Sequence, residues 1–184
     1  MGLFLKFSQS IDRMTDFIGR MTFWLTLAMV VMGAFNAVAR YVSKFIGVNL
    51  SSNAFIEAQW YMFSMVFLLG GAYALRHGAH VRVDVLYGRV SRRAQNWINL
   101  FGALVFLIPF CIFMLAVTWH SVLNSWLTWE QSPDPGGLPR FPIKTVVPLA
   151  ICLLMAQGFS EIIKNVAFLR GLVESEEEEP AELE

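Results

Sequence analysis

At 184 residues, with 56% hydrophobic and only 15% charged side chains, the chain carries more apolar surface than a soluble domain of this size can bury. Its formal net charge is zero but the signs are segregated, with arginines gathered between Arg76 and Arg93 and glutamates in residues 174–184, so the balance points to no nucleic-acid partner. The longest polar segments run to about twenty residues, which excludes a separate soluble catalytic domain of the usual ~100 residues.

Residues 1–20 mix Lys6, Arg13 and Arg20 with Asp12 and Asp16, while Leu3, Phe4, Phe7, Ile11, Met14, Phe17 and Ile18 recur at helical spacing. This predicts an amphipathic lead-in lying on a membrane surface. Residues 21–39 follow without a charge and form the first span. Ala37-Val38-Ala39 resembles a signal-peptidase site, but the apolar run is longer than a signal core and starts late, so the span is read as uncleaved. Residues 40–53 read as a short loop, with Gly47 as a turn residue and Ser52 and Asn53 near a helix start.

The second span begins near Glu57, where a helix N-terminus favours an anion. Residues 58–75 are charge-free, and at ~1.5 Å per residue they cover about 27 Å, close to the ~30 Å core of a bilayer. Gly70, Ala74 and Gly78 recur every fourth residue and offer a smooth stripe for another helix, because helix attraction in lipid comes from close packing. Gly33 and Ala37 give the first span a shorter version. Glu57 is consistent either with this interfacial role or with a partner contact.

A dense polar string, Arg76-His77-Gly78-Ala79-His80-Val81-Arg82-Val83-Asp84, closes the second span. Cations at that end mark the cytoplasmic side. Residues 80–90 alternate in polarity yet also fit a short interfacial helix, with Asp84 as a candidate N-cap. From Ala94 to Trp129 no charge appears, nearly twice what a perpendicular span needs. Trp97 marks one interface and Trp119, Trp126 and Trp129 the other, while Pro109 predicts a kink.

Residues 130–142 form a proline-rich cap containing Pro135, Gly136, Gly137, Leu138 and Pro139, with Pro142 suited to the first turn of the last helix. That helix runs through an uncharged stretch to Glu161 and Lys164. The acidic residues 174–184 lack apolar periodicity and are expected to be disordered. Ten Lys and Arg fall on the side holding both termini and the second connection, against four on the other, which places both termini in the cytoplasm.

The fold class is therefore an all-α integral membrane protein with four transmembrane helices, at about 21–39, 56–75, 95–121 and 144–166, within a domain of 21–168. Short interfacial helices join a lead-in at 1–20 and a tail at 169–184. No acid, Lys or Arg lies at mid-membrane depth, which argues against a carrier acting alone. Cys111 and Cys152 sit in apolar runs and read as free thiols. A redox anchor is the alternative, yet His77 and His80 lie at one membrane face and His120 at the other, roughly ~30 Å apart, so they cannot share a haem. No catalytic, cofactor or metal site is read from the chain.

The stretch Gly70-Gly71-Ala72-Tyr73-Ala74-Leu75-Arg76-His77-Gly78-Ala79-His80-Val81-Arg82-Val83-Asp84-Val85-Leu86, directly after a span beginning at Glu57, resembles the small membrane subunit of tripartite ATP-independent periplasmic (TRAP) transporters, the DctQ-like family. Arg76, Gly78, His80, Val83 and Asp84 match that family's Arg-x-Gly-x-His-x-x-Val-Asp string, and residues 130–139 look like the loop of one subgroup. The resemblance implies a non-catalytic subunit of the bacterial inner membrane. Its partners would be a large DctM-like membrane subunit carrying the sodium and substrate sites, and a periplasmic substrate-binding protein delivering an organic acid or related solute. Under it, Glu57, Gly70, Ala74, Arg76, Gly78, His80, Arg82 and Asp84 are candidate partner contacts, and Pro135, Gly136, Gly137, Leu138 and Pro139 a candidate periplasmic contact.

Overall fold

The computed structural model describes residues 2–48, 50–79 and 90–172, and among these there is no strand. Four helices are each long and apolar enough to cross a membrane: α1 (Gly2–Ile46), α2 (Asn53–Arg76), α3 (Arg92–Leu127) and α4 (Phe141–Leu169). The expected lead-in is the first part of α1, with no break near residue 20. Arg40 and Lys44, read as loop, also belong to α1. Nothing between Met21 and Ile46 interrupts the hydrogen-bond ladder, and the helix stops only at Gly47, which adopts φ +72.

Capping sets the other boundaries. Ser52 and Ser91 accept from the backbone N–H of Ala54 and Ala94 and so start α2 and α3. At the end of α2, Ala79 N–H donates to Ala74 O and Gly78 N–H to Leu75 O around a left-handed Gly78 (φ +60), a Schellman closure. The same closure ends α4 at Gly171. At the end of α3 it is made by Trp129, whose φ of +48 is unfavourable for a bulky residue. Within α3, residues Ala103–Leu107 widen into a π-helical turn just before Pro109, with Ile108 N–H reaching Ala103 O. A proline ring clashes with the carbonyl four residues earlier and offers no N–H, and the wider turn relieves both.

α4 packs against all three other helices, α1 also packs along α2, and α3 rests chiefly on α4. A third of the apolar window of α4 is buried against 6% of that of α3. The arrangement inverts that of a soluble bundle. Buried positions include Ser8, Asp12, Thr15, Asn36, Glu57, Ser125, Gln157, Ser160 and Asn165, whereas Phe23, Trp24, Phe67, Phe106 and Phe113 face outward. Without water to drive helices together, close backbone approach and interhelical hydrogen bonds hold them. A Cβ on Gly19 would lie 2.2 Å from the Tyr73 ring, one on Gly33 2.6 Å from the Gln59 amide, and one on Gly158 2.8 Å from Leu107. These three glycines let α1 meet α2 and α4 meet α3.

Candidate functional site

Two polar clusters close the bundle at its opposite ends. At the end where α1 begins and α4 finishes, one face of α1 (Ser8, Asp12, Thr15) meets one face of α4 (Gln157, Ser160, Glu161, Lys164). Gln157 is wholly buried; its amide donates to Asp12 Oδ1 at 3.0 Å and Glu161 Oε1 at 3.2 Å, and its oxygen accepts from Thr15 Oγ1 at 2.8 Å. Ser160 Oγ donates to Asp12 Oδ1 at 2.8 Å and lies 2.6 Å from Ser8 Oγ. Lys164 reaches Asp12 at 3.4 Å and Glu161 at 2.7 Å. From α2, Arg76 pairs with Asp16 at 2.5 Å and donates to the Asp12 carbonyl, with His77 3.9 Å from Asp16. The Asp12 carboxylate is thus buried with donors on both oxygens, the condition under which a buried charge is tolerated.

At the opposite end the proline-rich loop folds down onto the start of α2. Glu57 is 3% exposed, and its two oxygens accept from Ser132 Oγ and from the Leu138 backbone N–H. Tyr61 donates its hydroxyl to the carbonyls of Pro139 (3.1 Å) and Leu138 (3.3 Å), and Asn53 Nδ2 donates to Pro135 O at 3.0 Å. Asp134 to Gly137 forms a type II turn, with Pro135 at its first corner, Gly136 at φ +72 and a Gly137 N–H to Asp134 O bond of 3.0 Å. Gly137 is required for a different reason, since a Cβ there would stand 2.6 Å from Glu57 Oε2. Glu130, hydrogen-bonded by Lys144 and held below the ordinary carboxylate range by that bond, ties the loop to the start of α4. Trp126 donates to Thr145 at 2.8 Å, and Trp126, Trp129 and Phe141 meet in tilted and edge-to-face contacts around this corner.

Three of the candidate partner residues make contacts within the chain or shape its backbone. Both oxygens of Glu57 hold the loop. Arg76 turns inward onto α1. Gly78 lies past the end of α2, where its left-handed backbone closes the helix. Gly70 differs: among the described residues no heavy atom lies within 4 Å of where its Cβ would be, and Gly71 is likewise open, so that side of α2 is free of the other described helices. Ala74 is half-buried on the same helix. Pro135 and Gly136 form the exposed tip of the loop, with Gly137, Leu138 and Pro139 half-buried beneath it. His80, Arg82 and Asp84, the expected interfacial helix and the acidic tail lie outside the described residues.

Sequence reasoning did not find the Asp12–Gln157–Ser160 cluster. Its signal was present as polar residues at helical spacing on both partners, Ser8, Asp12 and Thr15 on one and Gln157, Ser160, Glu161 and Lys164 on the other. Among the described residues no three His, Cys, Asp or Glu side chains gather into a metal site.

A bundle with its polar groups turned inward, its apolar residues outward and four membrane-crossing helices defines a multi-pass α-helical membrane protein. The family model for the DctQ component of tripartite ATP-independent periplasmic transporters matches residues 29–168. The chain is 31% identical over 147 residues to the ectoine TRAP transporter small permease protein TeaB of Halomonas elongata, covering 77% of this chain and 72% of that one. No solved structure matches. The chain therefore belongs to the DctQ family: it is a TRAP transporter small permease subunit of the inner membrane, and not an enzyme. The comparisons give the redox-anchor alternative no support.

Proposed function

We propose that the protein is the structural subunit of a sodium-driven TRAP transporter, packing on the fixed scaffold of a large DctM-like subunit while a periplasmic binding protein delivers an organic acid or related solute. Both termini would be cytoplasmic, as the ten-to-four distribution of Lys and Arg favours. The proline-rich loop would then face the periplasm. One observation supports a bracing role above the others. The buried carboxylates Asp12 and Glu57 are each satisfied within the chain, while the outer faces of α1 between Met21 and Ala39 and of α3 between Ala94 and Leu127 carry no charge and, with the Gly70 side of α2, are left uncovered by the other described residues. A helix bundle so arranged offers surface to a neighbour and no polar path to a solute.

The test is co-purification in mild detergent with the large subunit encoded beside it, followed by reconstitution with the binding protein under a sodium gradient. Uptake that needs both membrane subunits is expected. Failure to form a stable complex, or solute transport by this chain alone, would refute the reading.

A further inference from the structure

The carboxylate of Asp16 is only half used. Its Oδ2 holds Arg76 at 2.5 Å, whereas its Oδ1 is buried and has no hydrogen-bond partner. A buried carboxylate oxygen left without a donor is costly, so any donor that can reach it is drawn to it. Among the described residues, Nε2 of His77 faces this oxygen at 3.9 Å, too far for a hydrogen bond.

The other side of the imidazole decides what Nε2 can do. Nδ1 lies 3.0 Å from the Tyr73 carbonyl, which can only accept, so Nδ1 carries the proton. In the neutral ring Nε2 is then an acceptor, and it confronts a second acceptor in Asp16 Oδ1. Their spacing suits two lone pairs that face one another. Protonating His77 turns Nε2 into a donor aimed at an oxygen that lacks one, and a movement of about 1 Å brings the pair to hydrogen-bond length.

Two further features receive the charge. The imidazole lies over the Tyr73 ring, with centroids 4.0 Å apart and planes 32° apart, within reach of a cation–π contact. His77 also caps the C-terminus of α2, where the helix dipole favours a cation. The Tyr73 ring is set in place by α1, which approaches so closely that a Cβ on Gly19 would stand 2.2 Å from it. Arg76 opposes a second cation beside it, but its guanidinium is already paired with Asp16 and hydrogen-bonded to the Asp12 carbonyl. α2 packs on α1 and α4. From α1, Arg13 and Arg20 are exposed and form no ion pair with Asp16 among the described residues; from α4, Lys164 and Glu161 meet Asp12 and each other.

We infer that His77 is a proton-operated latch between α2 and α1. The imidazolium donates from Nε2 to Asp16 Oδ1 and adds a second tie beside Arg76, and the neutral ring releases it. The His77 side chain is 43% exposed, so its proton exchanges with the solution at this end of the bundle. Because the tie exists only with the imidazolium, its contribution is present at pH values where histidine is charged and disappears as pH rises through the range in which histidine loses its proton. The first part of α1 is held more firmly to the end of α2 in acid than in alkali.

The full chain in mild detergent, labelled with 15N at histidine, tests the tautomer, with the His77 signals identified by their loss in His77→Gln. At about pH 8.5, where ordinary histidine is neutral, a ring protonated at Nδ1 is expected, and one protonated at Nε2 would overturn the inference. A double-mutant cycle of His77→Gln and Asp16→Asn, read by SDS titration, tests the tie. At about pH 5.5, above the ordinary aspartate range and below that of histidine, the two changes should be coupled by about two- to fivefold in the folded-to-unfolded ratio, the range of exposed charged pairs. At about pH 8.5 the coupling should vanish. Coupling of the same size at both pH values, or none at the lower one, would sink the latch. Asp16→Asn also loosens Arg76. If that variant does not fold, the native protein against His77→Gln decides the matter: the stability advantage of the native chain should shrink by about two- to fivefold from the lower pH to the higher, and a ratio that does not change with pH would overturn the inference.

Discussion

Replacing Gln157 with Met keeps an unbranched side chain of nearly the same length, so it opens no large cavity and removes hydrogen bonding alone. Two contacts to α1 disappear, the 2.8 Å bond from Thr15 and the 3.0 Å bond to Asp12, together with the 3.2 Å bond to Glu161 on its own helix. Interhelical hydrogen bonds in membrane proteins average about 0.6 kcal/mol with a maximum near 1.7. The Thr15 hydroxyl, fully buried, would also lose the acceptor it now has, at about 1–3 kcal/mol. Asp12 keeps Ser160 and Lys164, which limits its share. The expected loss is about 2 kcal/mol, roughly a thirtyfold change in the folded-to-unfolded ratio. Unfolding by SDS titration in mild detergent, followed by tryptophan fluorescence, measures it. Phe113→Leu on the outward face is the control and should shift stability by less than about 0.5 kcal/mol. Combining Gln157→Met with Asp12→Asn should show a coupling of about 1 kcal/mol. Stability within about 0.5 kcal/mol of the native protein, or strict additivity of the two changes, would refute the claim that this cluster joins α1 to α4.

Glu57→Gln leaves one acceptor for two donors and turns an amide toward Ser132 or Leu138, so amide exchange across residues 132–139 should accelerate; unchanged protection would show that the loop is held by something else. Gly19→Leu forces the Tyr73 ring aside and should weaken both the isolated chain and its complex, whereas Gly70→Leu should leave the isolated chain's unfolding unchanged and reduce co-purification with the large subunit. Equal behaviour of the two variants in both assays would remove the Gly70 side of α2 as a partner surface. For the Glu130–Lys144 bond, the folded-state pKa of Glu130 is the lowered one, so its contribution is present at neutral pH and is lost as pH falls through that value. Lys144→Ala should move this acid transition to higher pH in the fluorescence of Trp126 and Trp129, and an unmoved transition would contradict the assignment. Gly78→Ala places a Cβ in a left-handed conformation, and thermal melting should show a loss of about 1–2 kcal/mol.

The four helices were legible because charge-free runs of span length have few alternatives in a chain this apolar. Their ends were less so. Arg40 and Lys44 read as loop because charges commonly mark span limits, yet a helix leaving lipid has no reason to stop until a residue such as Gly47 ends it. Pro109 was visible as a perturbation, but whether the helix kinks or widens depends on how the preceding turn packs, and that is decided by α4. Small residues were the weakest guide. Gly70, Ala74 and Gly78 have the right spacing, but spacing alone cannot say whether a glycine meets a neighbour, as Gly19 meets Tyr73, or closes a helix, as Gly78 does. Glu57 was recognisable as unusual, and its partner, the Leu138 backbone 81 positions further on, has no mark in the sequence.

The absence of any break in α1 has a mechanical consequence. Its 45 residues make a lever arm of about 67 Å, so a tilt of about 5° pivoting at one tip swings the other by about 6 Å. Force applied to the rim near Ile46 is therefore delivered to Leu3 and Phe4 without a joint to absorb it.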